Sequence, residues 1–328
     1  MLKNRVENLS GKKYVIGVDL GATWVRVALS DEKGKIIEKV RERTDVSDEK
    51  AISNQIARMV HSLCKKNSIA VANLMGVGIA SAGPLDLKEG ALINPTNLPF
   101  DYVPLTKPIG EKLGIPAFLA NDCTAAALGE KEFGAGKELN NIVYITIGTG
   151  IGGGAIVDGH LLLGKDGNAV EIGHLTIDCK GRLECGCGKR GHWEAYCSGR
   201  NIPNYIKMRL EEIDEELKRR STLSKKAQLS SQDLFEAAKM GDKISLQLVE
   251  ELGVLNAIGF ANVINAYDPS LITVGGTVAL KNEDFILPPI KRHVKDYTVN
   301  RLPEIVITPL GEDIGIYGGI AIVLKFKP

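Results

Sequence analysis

The chain has 328 residues and a formal net charge of +1 at pH 7. Its length predicts two domains, and its balanced charge disfavours nucleic acids and membrane surfaces as partners. The N-terminal ten residues are polar, and no run approaches the roughly 18 apolar residues of a membrane span. We therefore expect a cytoplasmic protein, whose six cysteines favour metal binding over disulfide bonds in a reducing compartment.

The first part of the chain predicts a β-hairpin followed by helices and strands. An apolar run from Tyr14 ends at Asp19, and apolar residues then alternate with others from Val25 onward. This pattern places Asp-Leu-Gly-Ala-Thr at a hairpin tip. Helical spacing predicts an amphipathic helix over residues 48–66. The prolines and asparagines of residues 94–99 predict an irregular loop that suits ligand binding. Further strands are expected at residues 36–43, 74–80 and 117–120, and a short helix at residues 105–113.

The second part of the chain begins with another hairpin pattern and then becomes mainly helical. Laid without gaps on the first hairpin, residues 141–158 place Gly148 on Gly21 and Asp158 on Asp31. This match predicts a duplicated domain, and its alternative is chance similarity between two hairpins. Helices are expected at residues 202–219, 231–240, 243–267, 285–296 and 314–324, and strands at residues 271–274 and 305–308.

A cluster of cysteine and histidine predicts a metal site in the middle of the chain. Cys185 and Cys187 lie close in sequence to His192 and His174, with glycines between them that permit tight turns. Two thiolates and two imidazoles suit a closed, tetrahedral structural zinc site. Core cysteines with surface histidines are the alternative interpretation. Nearby cysteines that could replace either histidine as a ligand are Cys179 and Cys197.

Three glycine turns are candidates for nucleotide binding, although each alone is equally typical of an ordinary tight turn. Backbone N–H groups at a bare hairpin tip can point at phosphate oxygens, and Asp19 could hold Mg²⁺ through water. A third turn, after a strand, suits close approach by adenosine. The predicted nucleotide-binding residues are Asp19, Gly21, Ala22, Thr23, Gly148, Thr149, Gly150, Gly275, Gly276 and Thr277.

Polar residues at a strand-to-helix junction predict the centre of the chemistry. Asn121 and Asp122 follow an expected strand, where open α/β sheets place ligand groups. Phosphoryl transfer needs a group that orients or deprotonates the nucleophile, and Asp122 is the candidate, with helix N-capping as its alternative role. The candidate ligands for a polyhydroxylated substrate are Asn97, Asn121, Glu171, His174 and Glu194.

Taken in order, these motifs resemble the ROK family of sugar kinases and repressors. The resemblance starts near Tyr14, extends to the C-terminus and includes Glu-x-Gly-His at 171–174 and Cys-x-Cys-Gly-x-x-Gly-His-x-Glu at 185–194. It implies two actin-like, hexokinase-type α/β domains (duplicated, ribonuclease H-like) around an interdomain cleft that closes on sugar and ATP. The expected domains are residues 1–119, completed by residues 312–328, and residues 120–311, which contain the zinc motif.

The resemblance also assigns roles to the candidate residues. It implies that Asp122 is the catalytic base and that the polar set above binds the sugar. The family's zinc motif has three cysteines and a histidine, whereas this chain carries His192 in place of the third cysteine. Family repressors begin with a helix-turn-helix domain, but only about a dozen residues precede the first expected strand here, which disfavours DNA binding.

We therefore expect an ATP-dependent kinase of carbohydrate metabolism that phosphorylates the 6-hydroxyl of glucose, with Mg²⁺ and structural Zn²⁺. N-Acetylmannosamine kinase and fructokinase are alternatives within the same chemistry. A sugar-sensing regulator without turnover, a zinc module for protein interaction and a polyphosphate donor also remain open. The resemblance makes a homodimer or homotetramer plausible.

Overall fold

A computed structural model describes residues 13–95 and 97–325, which form two compact units. Unit 1 runs to Glu138 and includes His160–Ala169 and the stretch that begins at Asp313. Unit 2 consists of Leu139–Gly159 and Val170–Glu312. The strands are β1 (Tyr14–Leu20), β2 (Trp24–Asp31), β3 (Ile36–Arg43), β4 (Leu74–Ser81), β5 (Leu85–Asp86), β6 (Ala91–Ile93), β7 (Tyr102–Pro104), β8 (Ala117–Asn121), β9 (Ile142–Ile147), β10 (Ile151–Val157), β11 (His160–Leu161), β12 (Leu271–Gly275) and β13 (Glu304–Ile307). The α-helices are α1 (Ala51–Lys66), α2 (Thr106–Leu113), α3 (Asp122–Glu132), α4 (Glu194–Cys197), α5 (Ile202–Glu212), α6 (Glu215–Arg220), α7 (Ser231–Lys239), α8 (Lys243–Tyr267), α9 (Thr277–Lys281), α10 (Glu283–His293) and α11 (Ile314–Lys325).

Unit 1 is built on a sheet with strand order β3-β2-β1-β4-β8. β2 pairs antiparallel with β1 and β3, whereas β1, β4 and β8 run parallel. One face packs on α1 and α2 and the other on α11. Helix α11 approaches so closely that a Cβ atom added at Gly78 would lie 1.9 Å from the carbonyl oxygen of Gly319. The glycines of these strands therefore set the distance between the sheet and α11.

Unit 2 repeats this arrangement. Four of its strands have the order β10-β9-β12-β13, with β9 and β10 antiparallel and β9, β12 and β13 parallel. Its core contains α8, against which α7 and α10 pack, and Trp193 is fully buried with its ring 5.6 Å from that of Phe260. The same order of a hairpin followed by two parallel strands confirms the predicted duplication.

The expected hairpins, strands and most helices are confirmed, but three details are corrected. The helix predicted over residues 202–219 is two helices, because Asp214 leaves the helical conformation and caps α6. The loop of residues 94–99 is flanked by a small antiparallel sheet, β5-β6-β7, that was not predicted. The gapless alignment of the two hairpins holds up to the turn and is off by one residue after it. Leu20 pairs with Val25 in the first hairpin, whereas Ile147 pairs with Ile151 in the second, so the second turn is one residue shorter.

The compact units differ from the domain limits expected from sequence. Helix α3 belongs to unit 1 because it packs on α11, where a Cβ atom added at Gly318 would lie 2.6 Å from the carbonyl carbon of Ala125. The expected limit between residues 119 and 120 therefore stays a prediction about functional domains. Among the described residues, α8 is the one helix long and apolar enough to cross a membrane, and most of that stretch is buried inside the protein, as in a core helix.

Candidate active site

The strand-to-helix junction in unit 1 separates the roles of Asn121 and Asp122. Asn121 is the N-cap of α3, and its Oδ1 accepts hydrogen bonds from the N–H groups of Cys123 and Thr124 at 2.9 and 3.2 Å. Asp122 is the first helical residue, and its Oδ1 accepts from Cys123 N at 2.8 Å. The alternative role of Asp122, capping the helix, is therefore already filled by its neighbour.

The surroundings of Asp122 favour a base of moderate strength. Burial raises the pKa of the Asp122 carboxyl above its ordinary value, and the negative charge of Asp19 raises this pKa further, while the Cys123 N–H opposes both. A catalytic base works best when its pKa approaches the operating pH. The direction of this pKa change therefore suits proton abstraction better than an ordinary surface aspartate would.

The first hairpin tip carries a charged pair. Asp19 and Arg26 lie opposite each other on β1 and β2, and Arg26 Nε donates to Asp19 Oδ2 at 2.7 Å. The exposed turn beyond them is supported by Thr44, whose hydroxyl donates to Gly21 O at 2.7 Å and whose N–H donates to Thr23 O at 3.0 Å. Arg26 was not predicted, although its position seven residues after Asp19 across a short turn was a usable signal.

A pocket opens next to this tip within unit 1. It is lined by Gly21 and Ala22, by the end of β4 at Ser81 to Gly83 and by Asn97 in the loop after β6. The predicted sugar ligand Asn97 and two predicted phosphate-loop residues therefore face one cavity. Ser81 to Gly83 were not among the predicted site residues, although they directly follow the strand expected at residues 74–80.

The second hairpin tip, in unit 2, is made of backbone. Gly148 N–H donates to Gly150 O at 2.9 Å, and Gly148 O accepts from Gly199 N at 2.7 Å. Gly276, with φ of +88°, lies against this tip, since a Cβ atom added there would come within 2.5 Å of Ile147 O. Two of the three predicted nucleotide turns are thus packed side by side.

Glu194 connects this tip to the cysteine-rich segment, residues 179–192. Its Oε2 accepts from Ile151 N at 2.9 Å, and the Cys185 thiol lies 3.5 Å from its Oε1. A Cβ atom added at Gly150 would lie 2.5 Å from Glu194 Oε2, so a side chain there would displace this carboxylate. Glu171 lies at the start of the neighbouring turn, and its Oε2 is 3.9 Å from Nε2 of His174.

The four predicted metal ligands come together in unit 2. The ligand atoms of His174, Cys185, Cys187 and His192 all lie within 4.8 Å of one another. Cys185 Sγ is 3.7 Å from His174 Nδ1, and Cys187 Sγ is 3.4 Å from His192 Nδ1. Ligands at zinc's usual bond lengths in a tetrahedron lie about 3.5 Å apart. The donor set and its spacing therefore fit a zinc ion.

The protonation of this cluster also suits metal binding at one histidine. Burial lowers the pKa of His192, and the neighbouring His174 lowers it further, so the neutral imidazole that coordinates metals is favoured. Burial raises the pKa of the Cys185 thiol to about 12, so metal binding there would release a proton. The proposed substitutes Cys179 and Cys197 are not part of this four-residue cluster, and the buried Cys197 thiol faces Leu252 O.

Comparisons with known proteins identify the class. The chain matches the ROK family over residues 15–325, and it belongs to that family. It is 36% identical to a glucokinase of Pyrobaculum calidifontis over 313 residues, which cover 95% of each chain. It is also 30% identical to a xylose repressor of Bacillus spizizenii, covering 95% of this chain and 77% of that protein.

Solved structures agree with this assignment. A ROK hexokinase from Thermus thermophilus has a TM-score of 0.80 and 28% identity, covering 96% of this chain and 99% of its own. A ROK glucokinase from Streptomyces griseus, in complex with glucose and AMPPNP, has a TM-score of 0.75 and 31% identity, covering 94% and 98%. The predicted actin-like, two-domain ATPase fold is thereby confirmed.

Proposed function

We propose that this protein phosphorylates the 6-hydroxyl of glucose with MgATP and that Asp122 is the general base. The protein is an ATP-dependent hexose kinase of the ROK family. The observation that carries the assignment of Asp122 is its place at the first turn of α3, where Asn121 already caps the helix. Its carboxylate takes the hydroxyl proton as the sugar oxygen attacks the γ-phosphorus and the bond to ADP breaks.

The sugar ligands are proposed unit by unit. In unit 1, Asn97 lines the pocket beside the first tip. The side-chain oxygen of Asn121 caps α3, so Asn121 would bind the sugar as a hydrogen-bond donor through its side-chain NH₂ group. In unit 2, Glu171, His174 and Glu194 supply acceptors and an imidazole for hydroxyl groups. Glucose is the preferred hexose, since the glutamate and histidine pattern resembles that of family glucokinases, with N-acetylmannosamine and fructose as alternatives.

The two hairpin tips are the proposed nucleotide sites. In unit 1, Gly21, Ala22 and Thr23 present exposed backbone beside Asp19, which holds Mg²⁺ through water. In unit 2, the phosphates bind Gly148, Thr149 and Gly150. Adenosine packs on the adjoining turn, at Gly275, Gly276 and Thr277. Bound Mg²⁺ neutralises charge on the phosphoryl oxygens.

Zinc is the proposed structural ion of the cysteine and histidine cluster. Four protein ligands leave no open position for substrate, so the ion holds the segment that carries Glu194. His174 directs Nδ1 at the cluster while its Nε2 lies toward Glu171, which leaves one ring nitrogen for a sugar hydroxyl. Metal analysis of the purified protein tests this proposal: about one zinc per chain is expected, and none in a Cys185→Ser, Cys187→Ser variant.

The assembly and the cell compartment complete the proposal. We expect a cytoplasmic homodimer or homotetramer, and light scattering after size-exclusion chromatography distinguishes these from a monomer. We also expect the functional domains to divide at residues 119 and 120. Limited proteolysis of the full chain should reveal that limit if it is flexible.

A panel of sugars tests the function itself. ADP release from MgATP is measured with glucose, mannose, fructose, glucosamine, N-acetylglucosamine and N-acetylmannosamine, with Asp122→Asn as the control. Turnover highest with glucose supports the proposal, and a preference for another sugar replaces glucose as substrate. Sugar binding without turnover across the panel would favour a non-catalytic sensor, and inorganic polyphosphate in place of ATP tests the donor.

A further inference from the structure

The cysteine-rich segment is tied down by contacts that involve no metal ligand. Asp178 is nine-tenths buried, and its carboxylate accepts from the hydroxyl of the fully buried Tyr196 at 2.5 Å and from Arg182 Nε at 2.9 Å. The backbone N–H groups of Lys180 and Arg182 also donate to this carboxylate. One buried acceptor therefore gathers the start of the segment around itself.

Tyr196 connects this acceptor to two functional positions. Its hydroxyl oxygen accepts a hydrogen bond from Leu183 N at 3.1 Å, two residues before Cys185. Tyr196 itself lies on α4, two residues after Glu194. One phenol thus joins the segment that carries the metal ligands to the helix that begins with a proposed sugar ligand.

The rest of the segment is also closed by its own hydrogen bonds. Cys185 N donates to Lys189 O at 2.7 Å, and Gly191 N donates to Leu183 O at 3.0 Å. Arg190 donates to the carbonyl oxygens of Gly181 and Arg182 at 2.8 and 2.9 Å. These contacts form a hairpin, and none of them uses a cysteine or histidine side chain.

We propose that Asp178 and Tyr196 form a metal-independent clasp that holds the cysteine-rich hairpin against α4, so that both are positioning residues for sugar binding through Glu194. The part that concerns sugar binding rests on the proposed function of Glu194. The clasp pre-forms the metal site, and metal adds to an already ordered hairpin.

Tyr205 provides a matched control in the same unit. It is also buried, and its hydroxyl donates to Glu251 at 2.9 Å, which joins α5 to α8. Its ring lies 6.2 Å from that of Tyr196, and phenylalanine at either position keeps a ring in this contact. Tyr196→Phe and Tyr205→Phe therefore each remove one buried phenol-to-carboxylate hydrogen bond. A general loss of stability would follow from both substitutions, whereas loss of the clasp follows only from Tyr196→Phe.

Amide hydrogen exchange of the metal-stripped full chain tests the clasp. We expect peptides covering residues 179–192 to be protected in the wild type and in Tyr205→Phe, and to exchange about tenfold faster in Tyr196→Phe. Asp178→Asn is the second variant, should Tyr196→Phe fold poorly, and the same acceleration is expected. Rapid exchange of these peptides in the stripped wild type would overturn the proposal, because metal alone would then order the hairpin.

Kinetics of the zinc-loaded enzyme separate positioning from general destabilisation. Tyr196→Phe should raise the KM for glucose about tenfold while kcat falls less than threefold, and Tyr205→Phe should leave both near wild type. Equal effects of the two substitutions on KM would contradict the positioning role. If the wild type phosphorylates no sugar, the proposed function fails, yet the exchange experiment still decides the clasp.

Discussion

The two hairpin tips share a backbone plan but differ in chemistry. β1 and β2 in unit 1 correspond to β9 and β10 in unit 2, and each hairpin is followed by two parallel strands. At an offset of 127 residues, Asp19 of the first tip corresponds to Thr146 of the second. The first tip thus carries an ion pair with Arg26, whereas the second is almost bare backbone packed against glycines.

This difference accords with the proposal that the two tips hold different parts of MgATP. A carboxylate suits a hydrated Mg²⁺, and bare N–H groups suit phosphate oxygens. The first tip is open and is supported by a side chain, Thr44, while the second is closed by backbone contacts with Gly199 and Gly276. We therefore expect substitutions at the two tips to have different kinetic effects.

The largest expected effect on kcat at the tips comes from removing the charge of Asp19, whose counterpart in the second tip is the uncharged Thr146. Asp19→Asn keeps the shape of the side chain but removes its charge, and kcat should fall about 100-fold because the proposed carboxylate for hydrated Mg²⁺ is lost. The measurement is steady-state ADP release at saturating glucose and MgATP. Asp313→Asn is the control, since Asp313 pairs with Lys39 and lies 4.0 Å from Arg26, and it should stay within about threefold of wild type.

A glycine exchange compares the two tips directly. In Gly150→Ala the added methyl would displace the Glu194 carboxylate from Ile151 N–H, so the KM for glucose should rise about tenfold with an intact fold. Gly21→Ala meets only Trp24 O at 3.2 Å, and its KM for glucose should change less than threefold. An equal rise in the KM of both variants would show that the effect of Gly150→Ala does not come from displacing Glu194.

The pH dependence reports the electrostatic influence of the first tip. Asp122 must be ionised to accept a proton, and burial and Asp19 raise its pKa, so kcat/KM should fall as pH drops through a value above that of an ordinary aspartate. The residual activity of Asp19→Asn should show this acid limb at lower pH, because one source of the raised pKa has gone. An unchanged limb would mean that the titrating group is not Asp122.

The smallest expected effect concerns the support of the first tip. Thr44→Val removes the hydrogen bond to Gly21 O and should lower the free energy of unfolding by about 1 kcal/mol. Chemical denaturation measures this change, with Thr23→Val as the control, because Thr23 is exposed and contributes a backbone carbonyl to the contact. Equal stability of Thr44→Val and wild type would show that the Thr44 hydroxyl does not stabilise the first tip.

The sequence predicts the elements better than their partners. The apolar run of β1, the alternating apolar residues of β2 and the helical spacing of α1 are local patterns, and all three elements form where expected. The metal cluster was also found, because its cysteines and one histidine lie within eight residues, 185–192. The Asp178 and Tyr196 pair was missed, since neither spacing nor composition distinguishes a buried tyrosine that bonds a carboxylate from one that only packs.

Two features of the structure have little or no local signal in the sequence. The break before α6 depends on Asp214 capping that helix, and a single capping residue within a charged, helix-favouring stretch is a weak signal. The place of α3 in unit 1 depends on contact with α11, almost two hundred residues later in the chain. Such long-range packing is not encoded in local periodicity.

The most direct test of the central claim compares wild type with Asp122→Asn. Glucose binding is measured by calorimetry, and ADP release is measured at saturating glucose and MgATP. Turnover should fall about 10³-fold, while glucose affinity stays within about threefold of wild type. Near-normal turnover in Asp122→Asn, with intact sugar binding, would contradict the assignment of Asp122 as the base.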